Sequence, residues 1–438
     1  MSPFGRTVQT PAKFRCVQLR LTYRRGNGII RISWSFDQLA PDNHYKNIMK
    51  AVIHIGTHKT GTTTIQHFLD RNRQSLKKQG VFYPALPTRN GGAHHWLAWA
   101  TYLPEAWETW PIFSFIGHPC SRHSAFNGKD VPSIKVFQEK LWRKYRREIE
   151  RNCREDHRVI FSTEKFSYFL ESEVERLKEL MDSLFDDVTI VLYLRRQPEY
   201  LVSYYYTYVA MHSGAWNIFD YLNMPEDRSI LAYHQIVKRW SIFGKDKVKI
   251  RLFDKQAFPN SDLLSDFAAT AGFDLTGLER VKNQNETQMG SAEVEFVRLL
   301  NARIPAILDP YTRNPRRSGQ LRKSILSFSE KEHEKSKKAY HLNREEAGQI
   351  LAKYREGNDW IAREYLGKEK LFDENLSMYP EEVVSGHQLT PEKCAELTAH
   401  LYNELRNRQL SYRFHSLWNW LKQKGHRISE FALKRRNA

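Results

Sequence analysis

Cysteine is scarce in this chain of 438 residues: only Cys16, Cys120, Cys153 and Cys394, set far apart. They make no CxxC pair and none of the spacings that build a zinc site, which argues against a disulfide framework and points to reduced thiols. Long apolar runs are missing too. No stretch of about 18 apolar residues marks a membrane span. The opening MSPFGRTVQTPAKFRCVQLRLTYRRG lacks the apolar segment of a secretory signal, so a cytoplasmic location is expected. HExxH, EF-hand and Cys/His-cluster signatures are absent, and no metal requirement is expected. Acid is in deficit: 50 Asp and Glu face 68 Lys and Arg, a formal net charge of +18. Such a surface draws anionic partners, whether nucleic acid, lipid, acidic polysaccharide or nucleotide, without choosing among them.

What is present is a foldable core, since 41% of the residues are apolar and aromatics are plentiful. Residues 1–48 are Arg-rich with weak periodicity and are expected to be a poorly ordered extension. From Ala51 the pattern changes: AVIHIG reads as a buried strand, followed by a Gly/Thr-rich turn and the helical stretch TTTIQHFLDRNRQSLKKQ, which Gly80 ends. RVIFSTEKF, VTIVLYLRR and KVKIRLFD repeat the strand signature at Arg158, Val188 and Lys247. Near-continuous β-branched runs separated by helical stretches predict an α/β fold of three layers, with a central parallel sheet flanked by helices. The α/β core is expected over 49–275, with 276–438 as a mainly helical C-terminal part of the same unit. Its last stretch, FHSLWNWLKQKGHRISEFALKRRNA, reads as a basic helix packed on its own domain or touching the inner membrane face.

The segment HIGTHKTGTTTIQ, His54 to Gln66, carries the most chemistry. A Gly-rich loop between a buried strand and a helix exposes backbone N–H groups and the positive end of the helix dipole, a place for phosphate or a similar anion. Gly56 and Gly61 have the spacing of a Walker A loop and predict a P-loop-type arrangement. Thr62, however, stands where that motif has its lysine, and Lys59 precedes Gly61. The usual nucleoside triphosphate machinery is therefore displaced.

Lys59, Thr60, Gly61, Thr62 and Thr63 resemble the 5′-phosphosulfate loop of the sulfotransferases that use 3′-phosphoadenosine 5′-phosphosulfate (PAPS). The resemblance implies that His58 to Thr64 hold the 5′ end of PAPS, with Lys59 turned toward the oxygen that leaves sulfur. A second element follows the strand VTIVLYL: Arg195, Arg196, Gln197 and Pro198, then Ser203 about two turns into a helix. A fixed cation with a hydroxyl over a helix start suits a phosphate monoester. By the same resemblance Arg195 and Ser203 read the 3′ phosphate. The family's Arg-x-Pro pattern would favour Arg196 instead, which is kept as an accessory.

Sulfuryl transfer also needs a group to take the acceptor's proton. The candidates are His94 and His95 in GGAHHWLAW and Glu164 in the turn after RVIFST. An imidazole has a suitable pKa near neutrality, whereas a carboxylate needs its pKa raised or acts by orienting the acceptor. The loop pieces Asn314–Gly319 and Arg322–Ser324 are read as a basic segment that closes over anion or stays solvated, and His67 as a packing or surface histidine. The expectation is an enzyme moving a sulfuryl group from PAPS to a hydroxyl, with an amine as the lesser alternative. A carbohydrate or glycolipid is the favoured acceptor, and nucleic acid is not expected as a partner. A P-loop kinase or NTPase, and a non-catalytic anion-surface binder, are the competing classes.

Overall fold

Ala51 to Ile55 are apolar apart from His54, a pattern suited to a strand covered on both faces. In the computed structural model, which describes residues 49–85, 92–103, 131–154, 156–212, 214–281, 290–303, 342–382, 389–404 and 406, this run forms β1 (Lys50–His54), buried after its first residue. The other strands are β2 (Val81–Phe82), β3 (Arg158–Ser162), β4 (Asp187–Leu194) and β5 (Val248–Leu252). Their order is β2-β3-β1-β4-β5, and every pairing is parallel. Around them lie α1 (Thr62–Arg71), α2 (Arg73–Lys78), α3 (His95–Thr101), α4 (Val131–Asn152) and α5 (Glu171–Asp182). They are followed by α6 (Gln197–His212), α7 (Tyr233–Trp240), α8 (Leu263–Ala271), α9 (Ser291–Arg303) and α10 (Arg344–Ile361).

Alternation within the strands sorts the helices between two faces. Ala51, Ile53, Phe161, Ile190 and Leu192 share an apolar cluster with residues of α3, α4, α5 and α7. Val52, Ile160, Val191 and Tyr193 point the other way, into a cluster with α1, α2 and α8. This is the three-layer α/β arrangement. A further cluster, rich in tyrosine, joins α6, α9 and α10. There Gln197 and Asn358 exchange amide hydrogen bonds of 2.7 and 3.1 Å, so two buried side chains satisfy each other and tie α10 to the start of α6.

The chain leaves β1 toward β2 and leaves β4 toward β5, on the opposite side of the sheet. The crevice beyond the carboxyl ends of β1 and β4 is thus a topological switch point, where open α/β sheets take ligands. A wholly buried carboxylate supports this corner. Asp266 of α8 accepts from the Tyr193 hydroxyl at 2.6 Å and from Arg251 Nε at 3.0 Å, which offsets the desolvation of its charge.

Two local expectations need correcting. The long helix after the Gly/Thr turn is broken at Asn72, whose side chain donates to the carbonyls of Phe68 and Glu279 and accepts the Glu279 amide. A contact with distant chain overrides helical propensity there. β2 was not anticipated, because a two-residue strand has no periodicity to read. Residues 1–48, Asn314–Gly319, Arg322–Ser324 and the terminal basic stretch lie outside the described residues. Among the described residues, no helix is long and apolar enough to cross a membrane. Cys153 and Cys394 are free thiols, and burial pushes Cys153 up to about 12.

Candidate active site

The loop from β1 to α1 is shaped by left-handed backbone at Gly56 (φ 57°), Lys59 (φ 63°) and Gly61 (φ 75°). A Cβ on Gly56 would lie 2.5 Å from the Thr62 methyl, and one on Gly61 would lie 2.2 Å from Leu263 Cδ2. Both positions need glycine for space as well as for conformation. Lys59 adopts the same region with a side chain, a strain on the order of 1 kcal/mol, and it is exposed.

The threonines divide the work. Thr57 Oγ1 donates to the Tyr193 carbonyl at 3.1 Å, docking the loop on the end of β4. Thr60 Oγ1 donates to the Thr57 carbonyl at 2.7 Å and accepts the Thr57 amide at 3.3 Å. The Thr60 hydroxyl is thus part of the loop's own scaffold, and Thr62 is buried against Gly56. Thr63 is exposed and Thr64 half-buried. No side chain caps α1 and its first turn holds no acidic residue, so its leading amides and dipole suit an anion.

Arg195 sits where β4 ends. Its carbonyl accepts the Tyr233 hydroxyl at 2.6 Å, and its guanidinium lies over the Phe253 ring and reaches the Lys59 carbonyl at 3.5 Å, long for a hydrogen bond. Burial lowers its pKa while Glu199, Tyr233 and Tyr379 oppose this; an arginine keeps its charge regardless. Arg196 is engaged elsewhere. It bonds both oxygens of Glu199 and the carbonyls of Asp373 and Asn375, while the Tyr379 hydroxyl joins at Glu199, so it clamps a distant segment to α6. Ser203 is half-buried on α6 and is not bonded to Arg195; its carbonyl accepts Thr207 Oγ1.

Glu164 opens the 3-10 turn Glu164–Tyr168 that follows β3, directly beside the loop from β1 to α1: a Cβ on Gly56 would lie 3.6 Å from Glu164 Cα. Gln66 of α1 donates to its Oε2 at 3.2 Å, and His95 Nε2 stands 3.7 Å from its Oε1. Burial alone would raise the Glu164 pKa, but His95, His58 and Lys165 around it outweigh burial and hold it well below the usual carboxylate range. His95 is lowered by its own burial, against the pull of Glu164.

His94 does not fit the expectation of a base. It is wholly buried, its Nδ1 accepts the Ser162 amide at 3.1 Å, and its Nε2 therefore donates to the Pro84 carbonyl at 2.9 Å. No lone pair remains to take a proton, and burial pushes its pKa down to about 3. His54 is a second buried neutral imidazole, pushed by burial to about 4, with Nδ1 2.8 Å from Ser162 Oγ. His58, expected to help hold the anion, packs its ring against Tyr168 (5.1 Å) and Tyr204 (5.7 Å), whose hydroxyls bond each other.

The structure thus brings Lys59, Arg195, Glu164 and the start of α3 at His95 to the carboxyl ends of β1, β3 and β4. Sequence reasoning missed Gln66, Thr163 and the tyrosines that flank His58. Gln66 could have been noticed as a polar residue on the apolar side of α1; the others depend on contacts distant in sequence.

No protein-family model matches the chain. It is similar to a protein of Archaeoglobus fulgidus described only as uncharacterized, 22% identical over 225 residues; the match takes in 50% of this chain and 58% of that protein. It thus spans less than two thirds of that relative's length. Among solved structures it is similar to the crystal structure of a sulfotransferase from Alicyclobacillus acidocaldarius, at 16% identity and a TM-score of 0.34, covering 53% of this chain and 85% of the other.

Proposed function

We propose that this chain is a sulfotransferase that moves a sulfuryl group from PAPS to an acceptor hydroxyl, with a carbohydrate or glycolipid as the acceptor class. The observation that supports this reading is that the loop after β1 and the end of β4 meet, where the Arg195 guanidinium approaches the Lys59 carbonyl. A nucleotide phosphorylated at both the 3′ and 5′ positions presents two anionic groups to such a pair. Thr62, standing where a Walker loop has lysine, weighs against triphosphate chemistry.

PAPS supplies the sulfuryl group. On the protein's side, the amides at the start of α1 face the 5′ phosphate, and Lys59 meets the negative charge that grows on its oxygen as the sulfur–oxygen bond breaks. Arg195, with Ser203, takes the 3′ phosphate. The acceptor's O–H proton passes to the Glu164–His95 pair while its oxygen bonds sulfur, so charge and protons balance. Half-buried Trp96 and Trp99, ring centroids 4.6 Å apart on α3 beside His95, support a sugar acceptor, because aromatic faces stack on pyranose rings.

Thermal-shift measurements with adenosine 3′,5′-bisphosphate, AMP and ATP test the cosubstrate. Preferential stabilisation by the bisphosphate is expected. Preference for ATP with magnesium would instead indicate a kinase or NTPase.

A further inference from the structure

The neighbours of His95 determine where its ring proton sits, and the catalytic meaning of that placement rests on sulfuryl transfer being the reaction. Thr163 follows β3 and caps the turn at Glu164: its Oγ1 accepts the Lys165 amide at 3.2 Å and lies 2.7 Å from His95 Nδ1. A hydroxyl that has accepted one bond still has its own proton to donate. On the far side of the ring, Nε2 faces Oε1 of Glu164 at 3.7 Å, and the other carboxylate oxygen is occupied by Gln66.

A neutral His95 has two tautomers. With the proton on Nδ1, the Nε2 lone pair would face a carboxylate, lone pair against negative charge. With the proton on Nε2, Thr163 donates to Nδ1 and the ring N–H is directed at Glu164, so both contacts are favourable. Burial lowers the His95 pKa, against the pull of Glu164, and so favours the neutral ring, whose tautomer is then the relevant variable. The titratable groups facing this unit are Glu164 and Lys165 from the turn after β3 and His58 from the loop after β1; His94 is its neutral neighbour at the start of α3.

We propose that Thr163 is a positioning residue whose hydroxyl, donating to Nδ1 while Glu164 faces Nε2, helps hold His95 as the Nε2–H tautomer aimed at Glu164, so that the His95–Glu164 pair keeps one geometry toward the acceptor. Both nitrogens of His95 are then committed, one as acceptor from Thr163 and one as donor to Glu164. The Glu164 carboxylate is thereby held between the Gln66 amide and the His95 ring. On this basis Thr163 acts through His95, and need not touch substrate.

Nitrogen-15 NMR of the full chain, histidine-labelled and free of nucleotide, reads the tautomer directly, with the His95 signals identified by their loss in His95→Asn. The expected result is protonated Nε2 in the wild type, a redistributed tautomer in Thr163→Val, and recovery in Thr163→Ser. In turnover, Thr163→Val should lower kcat by about tenfold or more, with KM for PAPS within about twofold of wild type, and Thr163→Ser should restore it. An Nδ1–H tautomer in the wild type overturns the proposal. So does a Thr163→Val protein with unchanged tautomer and unchanged kcat. Should Thr163→Val not fold because the cap is lost, the wild-type tautomer and the Thr163→Ser rates decide. The NMR arm needs no sulfuryl transfer, so a wild type that shows the Nε2–H tautomer yet binds no adenosine 3′,5′-bisphosphate overturns the function while supporting the hydrogen-bond assignment.

Discussion

The Arg195 guanidinium approaches the Lys59 carbonyl at 3.5 Å, so the loop after β1 and the end of β4 share one edge of the crevice. The Thr57 hydroxyl, bonded to the carbonyl of Tyr193, fixes the same two segments from below. The Lys59 backbone and the Arg195 guanidinium thus meet at one place in the crevice.

Because Lys59 is exposed and its side chain does not enter the core, Lys59→Ala should leave the fold intact. The expected loss is about 3 kcal/mol of transition-state stabilisation, or roughly a hundredfold in kcat. Circular dichroism alongside turnover with PAPS checks both halves.

Gly61→Ala should be far more damaging than its size suggests. The new Cβ would meet Leu263 Cδ2 at 2.2 Å and Phe253 Cε2 at 3.1 Å, at a φ of 75° that an L side chain resists. A destabilisation of about 1–3 kcal/mol is expected, with loss of nucleotide binding, measurable by urea unfolding and calorimetry.

Arg196→Ala should separate stability from binding. It removes the bonds to Glu199 and to the carbonyls of Asp373 and Asn375, so a loss of about 1.5–3 kcal/mol in stability is expected. Affinity for adenosine 3′,5′-bisphosphate should stay within about twofold of wild type, since this side chain is engaged away from the crevice.

Acid should destabilise the fold before ordinary carboxylates titrate. His54 and His94 are neutral when folded, with pKa values lowered by burial to about 4 and about 3 from an ordinary 6.5. Below pH 6.5 the unfolded chain binds protons that the folded chain refuses. Stability is therefore full above that pH and falls as pH drops toward the folded values, by up to about 1.4 kcal/mol per pH unit for each histidine. Glu164 adds a loss in the same direction at lower pH, since its folded pKa is depressed. Urea unfolding between pH 7 and 5 should show this slope, and His94→Gln should flatten it.

Sequence pattern alone identified β1, β3, β4 and β5, because buried parallel strands are written as contiguous apolar runs, each before a turn. It could not reveal β2, which is two residues long, nor the break at Asn72, which is made by Glu279 far along the chain. In the candidate site, the Gly/Thr loop was legible because the left-handed backbone of Gly56 and Gly61 and the Thr60–Thr57 bonds are local, although Tyr193 and Leu263 also hold it. His94 and His95 are adjacent and locally alike; Pro84 and Ser162 tie up the first, while Thr163 and Glu164 engage the second. Arg195 and Arg196 are likewise indistinguishable until Glu199, Asp373 and Asn375 claim the second. Such choices are made by tertiary contacts that no local pattern encodes.

Calorimetric titration of the wild type, Arg195→Ala and Arg196→Ala with adenosine 3′,5′-bisphosphate and with AMP tests the two-anion crevice most directly. The wild type should bind the bisphosphate at least about tenfold more tightly than AMP, a difference of about 1.4 kcal/mol, which Arg195→Ala abolishes and Arg196→Ala preserves. Equal affinity of the wild type for the two nucleotides would contradict a crevice built to read a 3′ phosphate.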